Sequence, residues 1–259
     1  MRPEDGGIAR GGKNVYGIPV GMLMTESRFP RIPGDNGNAA TWPFPVLYRV
    51  VRGAAPGRVV RSLADATLLE PFVEGALELE HAGVELVTTS CGFLVLFQRQ
   101  IQDRLQVPFV SSSLLQVPSL AAILPAGRRV GVLTIERASL TPAHLAAAGI
   151  DAEQRVGIVG MDEVGGYFVD TILGDRPELD VARARREHVE AARALVERWP
   201  DVGAIVLECT NMPPYREAVS RATNLPVFDL TTLVGWAVAA TLPGFGQPSG
   251  EAGRYRREA

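Results

Sequence analysis

A strand that hands over to a helix at a cysteine occurs twice in this chain, and this unit constrains the fold more than any other feature. In residues 203–215 (GAIVLECTNMPPY), Ala204, Ile205, Val206 and Leu207 make a short apolar run, which suits a strand buried on both faces of a parallel sheet. The run ends at Cys209. Thr210 and Asn211 then supply helix-capping side chains, and Pro213 and Pro214 fit a first helical turn, where a missing N–H costs nothing. Residues 84–94 (VELVTTSCGFL) repeat the construction, with Cys91 at the strand end and a helical run over 93–105. The chain has two cysteines, and both stand at this junction.

Strands and helices alternate around these units. Strands are expected over 15–24, 46–51, 107–111, 129–135, 154–160 and 225–229. Between them, Leu68, Leu69, Phe72, Val73, Ala76 and Leu77 recur at helical spacing within 65–81, and Gly83 stops that helix. Further helices are expected over 114–124, 141–148, 182–199, from the second cysteine to Ala222, and over 231–241. This order predicts an α/β fold of two pseudo-symmetric lobes, each a mainly parallel sheet flanked by helices. One lobe takes 15–120 plus 225–242 and carries Cys91; the other takes 121–224 and carries Cys209. Residues 1–14 and 243–259 are expected to be flexible tails. Ligands of open α/β sheets sit beyond the carboxyl ends of the strands, so the active site is expected between the lobes with both sulfurs in it.

A Gly, Pro and Asn-rich stretch over 25–45 has too many breakers for periodic structure. It is either an irregular excursion pinned by Trp42 and Phe44 or a loop that covers substrate. In the second case Thr25, Glu26, Asn36 and Asn38 are the candidates to line the site.

The formal charge of −3 and the absence of a basic stripe argue against nucleic acid or an anionic membrane as partner and favour a small molecule. No apolar core of a signal peptide appears in MRPEDGGIARGGKN, and the apolar run over 230–242 is too short to span a bilayer. Two cysteines without a disulfide framework read as thiols of a cytoplasmic protein. They lack the short ligand spacing of a zinc site, so no metal is expected. His81, His144 and His188 fall on expected helices far in sequence from either cysteine and read as surface residues. Alternation along the strand turns Glu208 away from Cys209, toward a structural ion pair.

A lone cysteine is more often a small buried hydrophobe than a catalyst. Here each precedes a helix, where free N–H groups favour a thiolate and make a seat for an anion. Half-ionising an ordinary thiol at neutral pH takes about 2 kcal/mol, and a helix terminus supplies about 0.3–1 kcal/mol. Thr88, Thr89, Ser90, Thr210 and Asn211 are the donors on hand for the rest. Two cysteines without a third catalytic group suit proton transfer at a carbon acid, one sulfur taking the proton as thiolate and the other returning one from the opposite face. The N–H groups of Gly92 and Phe93, with those of Thr210 and Asn211, form the seat for a carboxylate and its enolate-like charge.

TTSCGFL and LECTNMPPY resemble the two cysteine motifs of the aspartate/glutamate/hydantoin racemase superfamily. The resemblance covers essentially the whole chain in element order. It implies an isomerase that uses no cofactor, neither pyridoxal phosphate nor metal, with Cys91 and Cys209 as opposed acid and base. It also implies an amino-acid, carboxylate or hydantoin-like substrate and a homodimer or higher homo-oligomer. Two departures stand out: Gly92 and Phe93 follow Cys91 where the amino-acid enzymes have Asn-Thr, and Asn211 stands where glutamate racemases have His. The same scaffold also supports maleate cis-trans isomerisation and malonate decarboxylation. A ligand-binding protein with both thiols merely packed is the reading from outside the enzymes.

Overall fold

The structure, a computed structural model, describes residues 11–13, 15–62, 66–151 and 156–241. Among these, β1 (Val20–Thr25), β2 (Val46–Val51), β3 (Leu86–Thr89) and β4 (Phe109–Val110) form one sheet in the order β2-β1-β3-β4. A second sheet holds β5 (Arg129–Thr134), β6 (Val156–Gly160), β7 (Val202–Leu207) and β8 (Val227–Phe228) in the order β6-β5-β7-β8. All six pairings are parallel, so the chain crosses back between strands, mostly through helices. The helices are α1 (Pro56–Arg61), α2 (Leu69–Ala82), α3 (Gln98–Gln102), α4 (Val117–Ile123), α5 (Pro142–Ala147), α6 (Tyr167–Leu173), α7 (Val181–Arg198), α8 (Arg216–Thr223) and α9 (Leu230–Thr241). The two lobes are α/β units with the same strand order, which is the symmetry expected from the sequence.

Strand alternation decides which face each side chain serves. In the first sheet Leu23, Val51 and Val87 face the inner core, a continuous apolar cluster that also takes in Val132 and Val206 of the second sheet. Val20, Met22, Met24 and Leu86 face the other way, where Leu230, Leu233, Val234 and Val238 of α9 cover them together with Trp42 and Phe44. Each fully buried side chain of this kind contributes about 1.5–3 kcal/mol. The last helix therefore returns to the first sheet. The strand before it does not: Val227 and Phe228 pair with Ile205 and Val206, so β8 belongs to the Cys209 lobe rather than to the Cys91 lobe expected for 225–242.

β1 begins at Val20, later than the stretch 15–24 suggests. Pro19 has no N–H to give, and Gly17 has φ 76°, outside the extended region. Two helices are absent from the sequence reading, α1 and α6. With six and seven residues they are too short for helical periodicity to show. They pack against each other where a Cβ on Gly57 would meet the Leu173 carbonyl at 2.9 Å, so glycine is what permits the approach.

The expected tails fall almost wholly outside the described residues, as do Asp65 and Gln154 at the starts of two expected elements. Lys13 is described, and its Nζ donates to the Gly83 carbonyl at 2.9 Å. Among the described residues no helix is long and apolar enough to cross a membrane.

Candidate active site

β3 and β7 end at Thr89 and Leu207, and each cysteine stands two residues further on. The intervening residues are held alike. Ser90 N–H donates to the Leu23 carbonyl at 2.8 Å, and Glu208 N–H donates to the Leu133 carbonyl at 2.8 Å. Equivalent backbone positions in two facing lobes bring Cys91 and Cys209 to the wall of one cavity at the carboxyl ends of both sheets. Thr25, Ser90, Gly92, Phe93, Thr210 and Asn211 share that wall. Asn38 does not. Its Oδ1 accepts from Ala40 N–H and its Nδ2 donates to the Arg31 carbonyl, which makes it a cap of the loop's own turn. Glu26 is exposed, with its carboxylate on Gly53 N–H, and Asn36 lies buried behind the cavity.

Hydrogen bonds cross between the lobes at the cavity edge. The Thr210 hydroxyl donates to the Ser90 carbonyl at 2.6 Å. Within the first lobe, Thr25 N–H donates to Ser90 Oγ at 2.9 Å. Asn211 Nδ2 donates to Asp35 Oδ2 at 2.6 Å, and Asn211 Oδ1 accepts from Cys209 Sγ at 3.5 Å. Asp35 Oδ1 in turn receives Arg31 Nη1 at 2.9 Å. The loop after β1 is thus both pinned and covering. Trp42 Nε1 holds the Asn36 carbonyl at 3.0 Å, and Phe29 reaches the cavity wall while its N–H and that of Arg28 donate to Asp175 across the cleft. α1 and α6 complete the enclosure with Pro56, Val60, Ile172 and Leu173, and Arg61 of α1 pairs with Glu136 of the other lobe. The enclosed space open to a water centre is about 20 Å³, room for one water. That space is too small for a carboxylate-bearing molecule in this closed arrangement.

Inside this closed cavity burial opposes the thiolate that the proton-transfer reading expects of one sulfur. Burial, and then the Glu208 carboxylate, push Cys91 up to about 12. The same two causes in the same order raise Cys209 well above the usual thiol range. Opposing N–H groups are present: Phe93 and Leu94 N–H serve Cys91, and Asn211 N–H serves Cys209. They lose to desolvation because Cys91 leads into a tight 3-10 turn, Gly92–Phe97, rather than a long α-helix, and a short segment has a small dipole.

Glu208 is the functional candidate that the sequence reading turned away. It is fully buried and lines the cavity with both cysteines, and among the described residues it makes no ion pair. Strand alternation failed here because Glu208 lies past Leu207, the last residue of β7, where the pleat no longer dictates direction. Oε2 accepts the Thr134 hydroxyl at 2.9 Å, while Oε1 has no hydrogen-bond partner among the described residues. Burial raises this carboxyl to about 7, against hydrogen bonds from Thr134 and the Ile135 N–H. Gly92 sits directly on it, since a Cβ there would overlap Glu208 Oε1 and the Glu208 carbonyl. The only sequence signal was the residue type itself, a carboxylate next to a cysteine at the end of a buried strand.

Two of the three histidines are buried rather than on the surface. His144 packs edge-on against Phe93, with centroids 5.0 Å apart, and its Nδ1 closes a capping box with Thr141. His188 is fully buried, stacked on Tyr215 at 4.2 Å, with its Nδ1 on the Ala184 carbonyl. Burial lowers both to about 4, so they are neutral rings of the core. Among the described residues no group of three His, Cys, Asp or Glu side chains comes together as a metal site.

Comparison with known proteins agrees with this architecture. Dimethylsulfoniopropionate lyase of Durusdinium sp. clade D is 29% identical over 222 residues, covering 83% of this chain and 72% of the relative. Dimethylsulfoniopropionate lyase 7 of Emiliania huxleyi is 31% identical over 237 residues, covering 88% of this chain and 69% of the relative. Among solved structures, a mutant of arylmalonate decarboxylase is similar in fold with a TM-score of 0.57 at 19% identity, covering 88% of this chain and 97% of that one. The family model for Asp/Glu/hydantoin racemases matches residues 55–238, a span that holds both cysteine junctions, and the chain belongs to that family.

Proposed function

We propose that this protein is a cofactor-independent lyase that takes a proton from the carbon beside a carboxylate and expels a sulfide from the next carbon, with dimethylsulfoniopropionate as substrate. The observation that carries the reading is one apolar cavity flanked by both sulfurs and holding a carboxylate without an ion-pair partner among the described residues. The relatives named above, alike over more than four-fifths of the chain, favour a lyase over a racemase.

The step balances without a cofactor. A cysteine thiolate removes the proton from C2, and that electron pair becomes the C2–C3 double bond as the C3–S bond breaks. Dimethyl sulfide leaves with the bonding pair, acrylate remains, and the new thiol releases its proton to solvent. Cys91 is the base in this reading. The nearby Phe93 and Leu94 N–H groups favour its thiolate, whereas Cys209 donates to Asn211 and is held as a thiol, placed to hydrogen-bond the enolate-like charge as it develops. The hydroxyls of Thr25 and Ser90 and the turn N–H groups near them receive the substrate carboxylate.

Incubation with dimethylsulfoniopropionate, together with headspace measurement of dimethyl sulfide and of acrylate in solution, tests this. Equimolar release is expected, and an unchanged substrate refutes it. A second reading, inversion at a carbon acid, is favoured by the presence of both sulfurs on one cavity. In deuterated water it is distinguished by loss of the α-proton signal of an amino acid or hydantoin without release of any fragment.

A further inference from the structure

The two lobes place different residues at the same point. Ser90 and Glu208 precede the two cysteines and make the same backbone bond to the neighbouring strand. Their side chains also bond the neighbouring strand, Ser90 Oγ accepting Thr25 N–H and Glu208 Oε2 accepting the Thr134 hydroxyl. A serine suffices to cap the strand end, so a carboxylate in the second lobe has a task beyond capping.

The surroundings of Glu208 say what the task is. Burying a carboxylate with no cation beside it costs several kcal/mol, and a ligand that brings a positive charge recovers that cost. The charged groups near the cavity do not supply it: Arg31 is committed to Asp35, and Asp35 adds a second negative charge beside Cys209. The remaining walls are Phe29, Phe93, Pro56, Val60, Ile172 and Leu173, which offer aromatic faces and alkyl groups. Such walls suit a cation with no N–H to satisfy, because a primary ammonium would lose its hydrogen bonds there.

Building on the lyase reading, we propose that Glu208 determines specificity by anchoring a fully alkylated cation, a sulfonium or quaternary ammonium, on the β-carbon of a carboxylate substrate. Neutralising Glu208 also removes the charge that, after burial, holds both thiols protonated.

The test compares dimethylsulfoniopropionate with 4-methylpentanoate, which has the same skeleton with CH in place of the sulfonium sulfur. Both are titrated by calorimetry into Cys91→Ala protein, in which the proposed base is absent and the substrate is consumed at least about 10²-fold more slowly. The sulfonium is expected to bind roughly tenfold tighter or more, and adding Glu208→Gln is expected to bring the ratio to about one. A ratio that Glu208→Gln leaves unchanged, or that is already near one, overturns the proposal. Should the double variant fail to fold, the same ratio in the Cys91→Ala protein must shrink between pH 8 and pH 5.5, as Glu208 takes up a proton; a flat ratio overturns the proposal equally. The two readings fail separately. A preference abolished by Glu208→Gln with no dimethyl sulfide from the wild type upholds Glu208 and sinks the lyase, and sulfide release with an unmoved preference does the reverse.

Discussion

The Thr210 hydroxyl donates to the Ser90 carbonyl at 2.6 Å, so the residue after one cysteine is tied to the residue before the other. Both groups are buried, and the bond fixes the facing of the two strand ends that carry the sulfurs. Thr210→Val keeps the shape and removes the donor, leaving a buried carbonyl unsatisfied. A loss of about 1–3 kcal/mol is expected in denaturant unfolding, with kcat falling while Thr210→Ser retains both stability and turnover.

Cys91→Ala and Cys209→Ala are each expected to lower sulfide release by about 10²- to 10⁴-fold, the usual share of a positioned acid or base. Because the two act in one transition state, the double variant is expected to be no worse than the poorer single one. Initial rates for the three proteins check this. Near-wild-type turnover in either single variant contradicts a two-cysteine site.

Gly92→Ala introduces a methyl group that must displace the Glu208 side chain and backbone carbonyl. Overpacking of this kind costs about 1–3 kcal/mol, and activity is expected to fall further than stability because the displaced group lines the cavity with both sulfurs. Thermal melts and initial rates on the same preparation separate the two effects.

Glu208 makes stability depend on pH in a direction opposite to that of most carboxylates. Its carboxyl rises from 4.5 to about 7 in the folded protein, so between those values the folded state binds more protons than the unfolded chain. Stability from this group is therefore present at low pH and lost as pH rises through about 7, a span of about 3 kcal/mol. Glu208→Gln is expected to be more stable than wild type at pH 8 and to lose that advantage at pH 5. Equal melting differences at the two pH values would contradict a buried carboxylate without a cation.

His188 works the other way. It falls from 6.5 to about 4 on folding, so the unfolded chain binds the extra proton, and stability drops as pH falls from about 6.5 toward 4 by about 3 kcal/mol. His188→Phe is expected to flatten that part of the acid-unfolding curve whatever its absolute stability. Urea midpoints at pH 7 and pH 5 suffice.

Much of the fold was legible in the amino-acid order. The run Ala204 to Leu207 and its counterpart before Cys91 are apolar enough to be buried strands, and the prolines after Asn211 mark a turn into a helix, so the two junctions and the alternating order came from local chemistry. Residues 46–51 match β2, a mainly apolar run between Pro45 and Gly53. α1 and α6 were hidden by their length, and β8 was misplaced because a two-residue strand carries no mark of which sheet it joins.

What the amino-acid order determined alone was a set of strands and turns with a cysteine at each of two equivalent joints, since burial period, capping and proline geometry act over a few residues. Only the tertiary structure decided that Glu208 faces the cavity, that burial opposes both thiolates, and that Asn38 stays outside. Those outcomes depend on which lobe lies opposite and how much water it excludes, and desolvation is a property of the assembled pair of sheets.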